Sequence, residues 1–416
     1  MQREAVLDVV RRAADAFQQR ASGSEVGGID HVPEHEAEEM ATLLRGALEW
    51  ARTHEQQEDA AGETLEGEGD GDYASHNPVI ALTQAALETE LPQPMGIAPP
   101  LPLRAIRENL RARTADGMVD RFIQHKKLTD FVYPLAEKCT VVLVGDWGTG
   151  KKRARKVADR IREFDPDHVI HMGDIYPSAT METTQQHFID VWEDHGPSNA
   201  KYWSLIGNHD MDQRGIAYFG LVLTYCQDQE ASYFSLQNEH WKLIGLDTAY
   251  LDYDLEPRQF GWLDARLSED GARNILLTHH QMFSAVDPRP AKKDANLKNT
   301  MKRFVETGRI FGWFWGHEHW MLSYAREPEW GNYLARAVGH GGKRILDVAG
   351  QHNGHAPRVA QYWRRPHFIE GRSLNGFVVM QFDGPNVVIV YPDENGDTAG
   401  AEPEVWPDQP HQVPKE

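Results

Sequence analysis

The chain has 416 residues, a formal net charge of −20 and two cysteines, Cys139 and Cys226, a length that holds one large domain with an appendage, or two domains. Two cysteines make no disulfide framework and leave a reducing, cytoplasmic setting as the default, while an acidic chain is unsuited to general nucleic-acid binding, which needs clustered Lys and Arg. No run of eighteen apolar residues is present to predict a membrane span, and the scattered charges of MQREAVLDVVRRAADAF do not read as a signal peptide.

The charge is concentrated at one end. Residues 1–100 hold twenty Asp and Glu against six Arg and no Lys, a net −14. Residues 1–20 predict an amphipathic helix with Val6, Val9, Val10, Ala13 and Phe17 on one stripe, and a second helix is placed near 35–54. EQQEDAAGETLEGEGDGD (55–72) reads as a solvated linker and LPQPMGIAPPLPL (91–103) as an extended, Pro-rich stretch. A further helix is expected near 104–127. Residues 1–130 are thus expected to form an acidic, mostly helical accessory arm with a flexible linker near 55–103, and no chemistry is visible in it. The arm is the candidate contact for a protein partner; oligomeric state is not legible.

From 131 to 400 the pattern changes to alternating strands and helices. VVLVGDWGTG (141–150) and HVIHMGDIYP (168–177) are apolar runs that each stop at a Gly-Asp pair. Between them Val157, Ile161 and Phe164 recur at helical spacing among Arg and Lys, which predicts a βαβ unit with Asp146 and Asp174 at the carboxyl ends of parallel strands. Lys151, Lys152 and Arg153 are expected to solvate the helix face. A helix is expected near 181–193 and a strand over KYWSLIGNHD (201–210). A hairpin is expected over 233–248 with Asn238-Glu239 at its turn, then a helix over 257–270 started by Pro257. RNILLTHH (273–280) and RIFGWFWGHEH (309–319) read as buried strands, with Trp313, Phe314 and Trp315 as core. GNYLARAVGHGG (331–342) and 376–396 are β-rich, the latter with a turn at Asp383-Gly384. A loose Pro-rich tail, 401–416, follows, and no internal repeat is seen.

The strand ends carry the chemistry. Asp146, Asp174 with Tyr176, Asn208 with His209, His279 with His280, and His317 with His319 each follow an apolar run. One Gly-Asp after a strand is ordinarily a turn; five such ends in order are not explained that way. Two carboxylates at one edge repel unless a proton or cation lies between them. Carboxylate, imidazole and amide oxygen together suit first-row transition metals better than calcium, and six or seven ligands exceed a closed four-ligand zinc site. They fit a two-metal centre. His280 is open between supporting the site and packing, His340 reads as a loop histidine, and Asp210 is expected to orient His209 or cap a helix rather than bind metal. GDWGTGKK (145–152) matches a phosphate-cradling Gly-x-x-x-x-Gly-Lys loop, but Lys152 stands where Ser or Thr is needed and Asp146 would sit among phosphates.

The ordered set resembles the calcineurin-like metallophosphoesterases, and within them the purple acid phosphatase branch. The family's motifs stand here as Gly145-Asp146-Trp147-Gly148, Gly173-Asp174-Ile175-Tyr176, Gly207-Asn208-His209-Asp210, Leu276-Leu277-Thr278-His279 and Gly316-His317-Glu318-His319. Leu276 replaces the family's Val. Gly148 stands where most of the superfamily has a ligand His, and Tyr176 adds a phenol, as in that branch. The resemblance covers roughly 140–320 and implies an α/β fold of two packed β-sheets flanked by helices, a four-layer metallophosphoesterase sandwich. It implies one metal on Asp146, Asp174, Tyr176 and His319, and another on Asp174, Asn208, His279 and His317, with Asp174 bridging and His209 meeting the substrate or protonating the leaving oxygen. The implied cofactors are two ions, Fe with Zn, Mn or Fe. The implied reaction is hydrolysis of a small phosphorylated substrate by a hydroxide shared between the cations, monoesters before diesters. A phosphodiesterase and a scaffold with a vestigial site are the alternatives.

Overall fold

The structure, a computed structural model, describes scattered positions between 11 and 45 and then residues 121–251, 253–268, 271–285, 294–343, 356–362, 366–367, 372–398 and 403–407. The chain divides into two compact units, 1–114 and 115–416. In the first, the described positions of 11–21 and 34–45 are helical. Ala14, Ala37 and Ala41 are buried there, and Arg45 Nη1 donates to Gln18 Oε1 at 3.0 Å. The expected stripe Val6, Val9, Val10, Ala13 and Phe17, the linker at 55–72 and the Pro-rich stretch 91–103 lie outside the described residues.

The second unit holds two sheets. One has six strands, in the order β16-β15-β14-β2-β3-β4: Glu404–Trp406, Asn386–Val390, Val378–Asp383, Lys138–Val144, His168–His171 and Lys201–Ser204. β2, β3 and β4 run parallel, and β14 closes antiparallel on β2 with Met380 opposite Val141. The other has eight strands, in the order β1-β5-β6-β7-β8-β10-β9-β11. These are Val132–Pro134, Phe234–Gln237, Trp241–Gly245, Arg273–Thr278, Ile310–Trp315, Leu334–Val338, Met321–Tyr324 and Val359–Tyr362. β6, β7, β8 and β10 are parallel neighbours. The short pair β12 (Pro366–His367) and β13 (Arg372–Ser373) lies apart from both.

The unbroken apolar runs follow from burial on both faces, which parallel strands covered on each side require. Leu143, Ile170 and Trp203 of the smaller sheet meet Leu243, Leu277 and Phe314 of the larger in one core. Val142 and Val169 face outward onto Val157 and Ile161 of the helix Lys152–Glu163. Leu276 and Trp313 face Leu263 of the helix Phe260–Ser268 and Met301 of the helix Asp294–Val305. Helix, sheet, sheet and helix give the four layers expected, and Trp313, Phe314 and Trp315 are core.

Several local expectations change. The helix near 104–127 does not reach 121–127, which is non-helical. There the backbone N–H groups of Arg121 and His125 donate to the hydroxyls of Tyr250 and Tyr233 instead of to helical carbonyls. The strand at 201–210 stops at Ser204, whose carbonyl is taken by Tyr218 Oη and Gln229 Nε2, and residues 208–211 turn into a short helix. Arg153 is buried, not on the solvated face. Within the tail, β16 pairs with β15, because Trp406 enters the core beside Phe314 and Glu404 holds Arg336 of the other sheet. The hairpin of β5 and β6 forms as expected, with Asn238 Oδ1 accepting from the N–H groups of His240 and Trp241.

Candidate metal centre

Five loops leave the carboxyl ends of β2, β3, β4, β7 and β8 and meet across the edges of both sheets. They deliver Asp146, Asp174 with Tyr176, Asn208 with His209, His279 with His280, and His317 with His319. Asp146 (φ 54°), Asp174 (φ 75°), His317 (φ 63°) and His319 (φ 55°) are all in the left-handed region. Non-glycine residues there cost on the order of 1–3 kcal/mol each and gather where surrounding structure enforces a functional geometry. β3 ends at His171 and the chain turns at Asp174, so Asp174 and Tyr176 do not share a face by strand periodicity. They meet because the backbone N–H of Tyr176 donates to Gly148 O, which folds the loop back.

Two groups of donors share Asp174. On one side, Tyr176 Oη donates within 2.8 Å of Asp146 Oδ1 and lies 3.0 Å from Asp174 Oδ2 and 2.9 Å from His319 Nε2. His319 Nε2 is 3.3 Å from Asp146 Oδ1. On the other, His279 Nε2 is 3.4 Å from Asp174 Oδ1 and 3.1 Å from Asn208 Oδ1. The Asp146, Asp174 and His279 ligand atoms lie within 4.8 Å of one another, as do those of His279, His280 and His317. All seven residues expected as ligands are therefore gathered, though His317 Nε2 rests against the Tyr253 hydroxyl rather than against Asn208 or Asp174.

Supporting bonds fix the orientation of these groups. His279 Nδ1 bonds the Met172 carbonyl at 2.9 Å, leaving Nε2 to face the centre with its lone pair. His280 is held the same way by the Thr248 carbonyl. Asp210 accepts from the backbone N–H groups of Gly207, Asp174 and Ile175, so it caps the 208–211 helix and ties two of the loops together. It makes no bond to the His209 ring. His209 is buried, with Nδ1 2.7 Å from the Pro177 carbonyl and Nε2 4.0 Å from Asp174 Oδ2. His340 is buried in the loop after β10, and its carbonyl accepts from Gly376 and Asn375.

Charge follows from this packing. Burial alone would raise the Asp174 pKa, but His279 and His209 outweigh it and hold the carboxyl below its usual range. Burial opposes charge on His209, yet Asp174 and Asp212 lift its pKa to about 9. Burial, with Asp146 and Asp174 beside it, pushes the Tyr176 phenol well above its ordinary value. Burial and Asp174 raise Asp210 to about 7.

Three features were not legible. Tyr253 belongs to no motif. Lys343 is buried with Nζ 4.6 Å from the Tyr176 ring centroid, and its backbone N–H donates to Asp146 O. Gly339 passes so close to Asp146 and His319 that a side chain there would strike both. The only hint was the glycine-rich Gly339-His340-Gly341-Gly342, whose need for close backbone approach has no spacing signature.

No helix among the described residues is long and apolar enough to cross a membrane. No curated protein sequence matches the chain. Among solved structures, GAP50, the anchor in the inner membrane complex of Plasmodium, is 12% identical over 64% of this chain and 88% of its own, with a TM-score of 0.46. A conserved Streptococcus pneumoniae protein with a predicted phosphoesterase assignment is 11% identical over 65% and 98%, at 0.31. Vps29 of Entamoeba histolytica is 12% identical over 64% and 97%, at 0.29. Residues 139–321, which span all five loops, match the family model of the calcineurin-like phosphoesterases.

Proposed function

We propose that the chain is a metal-dependent hydrolase of phosphate esters with a dinuclear centre of purple acid phosphatase type, acting on phosphomonoesters before diesters. The observation that carries this reading is the division of Asp174: Oδ2 meets Tyr176 Oη, which also bonds Asp146 and His319, while Oδ1 meets His279 Nε2, which also bonds Asn208. A carboxylate with one oxygen toward each donor group is what a bridge between two cations requires. The donors fit. Asp146, Asp174, Tyr176 and His319 would hold one ion, and Asp174, Asn208, His279 and His317 the other. Iron in the first position with zinc, manganese or iron in the second is the assignment. Two cations so held supply an activated water and neutralise phosphate charge.

The chain's own groups do the rest. Asn208 ligates without adding negative charge that would repel phosphate. The Pro177 carbonyl fixes the His209 Nδ1 proton, so Nε2 is the nitrogen turned toward the reacting group, and a protonated His209 can donate there to the leaving oxygen. The branch assignment is supported at position 148, where a Cβ would already lie 3.0 Å from Asp174 O and Ile175 Cα. A side chain there would have to push these atoms aside, and Tyr176 would supply the donor in its place. The test is a panel of phosphate monoesters and diesters assayed on purified protein whose metal content is measured in the same sample. Bound metal with no hydrolysis of any ester would make the chain a scaffold.

A further inference from the structure

On the phosphoesterase reading, the centre contains one donor that none of the five motifs supplies. Tyr253 lies in the loop after β6, with its hydroxyl on His317 Nε2. Its ring stacks on His280 with centroids 3.9 Å apart and meets His317 edge-on at 5.0 Å. Its backbone is in the left-handed region (φ 61°), a genuine outlier for a bulky residue. The turn that enforces it is pinned by the Asp254 N–H to the Leu251 carbonyl at 2.6 Å and by the Leu255 N–H to Asp254 Oδ1 at 2.8 Å. Further back, Asp247 accepts the N–H groups of Ala249 and Tyr250, and Gln259 bonds both the N–H and the carbonyl of Asp247. The phenol is thus delivered from a loop anchored independently of the metal ligands.

We propose that Tyr253 is a substrate-positioning residue that binds a non-bridging phosphoryl oxygen and favours phosphomonoesters over diesters. The His317 Nε2 lone pair accepts either the phenolic proton or a cation, not both. With that nitrogen given to a cation, the stack on His280 and the pinned turn keep the phenol beside the centre, where its O–H can donate to a bound phosphoryl oxygen. Tyr253, His317 and His319 are part-exposed, whereas Asp146, Asp174, Tyr176 and His279 are sealed. Tyr253 therefore stands on the side from which an ester enters. A monoester presents three non-bridging oxygens and a diester two. If two face the cations, only the monoester has one left for a further donor, and a neutral hydroxyl suits it.

The experiment compares the wild type with Tyr253→Phe, which keeps the ring and removes only the hydroxyl. It measures kcat/KM for para-nitrophenyl phosphate and bis-para-nitrophenyl phosphate, inhibition by inorganic phosphate, and metal content. A hydrogen bond to a charged oxygen is worth roughly ten- to a hundredfold. Monoester kcat/KM and phosphate affinity should fall by that factor, with diester kcat/KM within about threefold and metal content unchanged. Equal losses on both esters, no loss on either, or loss of metal from the variant would overturn the assignment, the last by making Tyr253 a ligand. A wild type that holds metal but cleaves neither ester would sink the phosphoesterase reading itself, and this inference with it.

Discussion

Asp174 links the two donor groups: its oxygens touch Tyr176 and His279, and Oδ1 also accepts the His209 backbone N–H at 2.9 Å. We predict that Asp174→Ala loses most bound metal and at least about 10²-fold in turnover, since both cations would share this carboxylate; a variant that keeps two equivalents of metal and near-normal rate would refute the bridge. Tyr176 tests the identity of the ions. A phenolate is a hard anionic oxygen and favours ferric iron, whose phenolate complexes absorb visible light. Protein loaded with iron in air should be coloured, and Tyr176→Phe should bleach it while circular dichroism is unchanged. A colourless, fully active protein holding only manganese or zinc would remove the ferric assignment and leave the hydrolase. These residues were legible because each is a polar exception at the end of an apolar run, a pattern that five strands repeat. Tyr253 was not, because YLDYDLEP has no apolar run before its tyrosine and the histidines it meets, His280 and His317, are distant in sequence.

At the scale of elements, the loops that carry the site are held by buried carboxylates as much as by strands. Asp247 anchors the loop of Tyr253, receiving the Ser232 hydroxyl at 2.5 Å as well as the two backbone N–H groups. Burial pushes its pKa from 3.8 up to about 6. The folded state therefore binds this proton more tightly than the unfolded chain. The resulting stability is complete below about pH 4 and is lost as pH rises through about 6, a change of about 3 kcal/mol. We predict that Asp247→Asn, whose amide oxygen can still accept both N–H groups while its NH2 donates to Ser232 Oγ, removes this slope. Measured on chelator-treated protein, to keep metal release out of the comparison, the stability of the variant relative to wild type should rise by about that amount between pH 4 and 7. A pH-independent difference would show that Asp247 is ionised throughout. Periodicity found the strands because each apolar run is buried on both faces, but it misjudged their ends. The strand expected through Asp210 stops at Ser204 because side chains of Tyr218 and Gln229, far along the chain, capture its carbonyl.

For the whole molecule, the sandwich was legible because the βαβ alternation can bury those runs only between helical layers. The tail was misread because its Pro-rich composition outweighed one buried tryptophan, Trp406, in the reading. The accessory region is where sequence and chemistry part. Residues 1–100 carry −14 of the −20 charge, yet all seven proposed ligands, His209, Tyr253 and Lys343 belong to the unit 115–416. The stretch that matches the family model, 139–321, lies inside that same unit, and the strands that complete both sheets, from β1 at Val132 to β16 at Trp406, do too. Every strand-to-strand hydrogen bond of the two sheets is therefore made within one compact unit. We predict that a chain beginning at Ala115 folds, keeps its metal and hydrolyses a chromogenic phosphate ester within about threefold of the full-length rate. That threefold bound is under about 1 kcal/mol of barrier. It should also elute differently on anion exchange, having shed most of the acidic excess. Soluble protein with lost activity would assign the first unit a part in the site, and insoluble protein would show that the sandwich depends on it to fold. If the activity holds, the acidic unit is free to serve a partner, and the test of that role is whether a basic protein surface captured by the full chain is released by salt over the range that screens exposed charge.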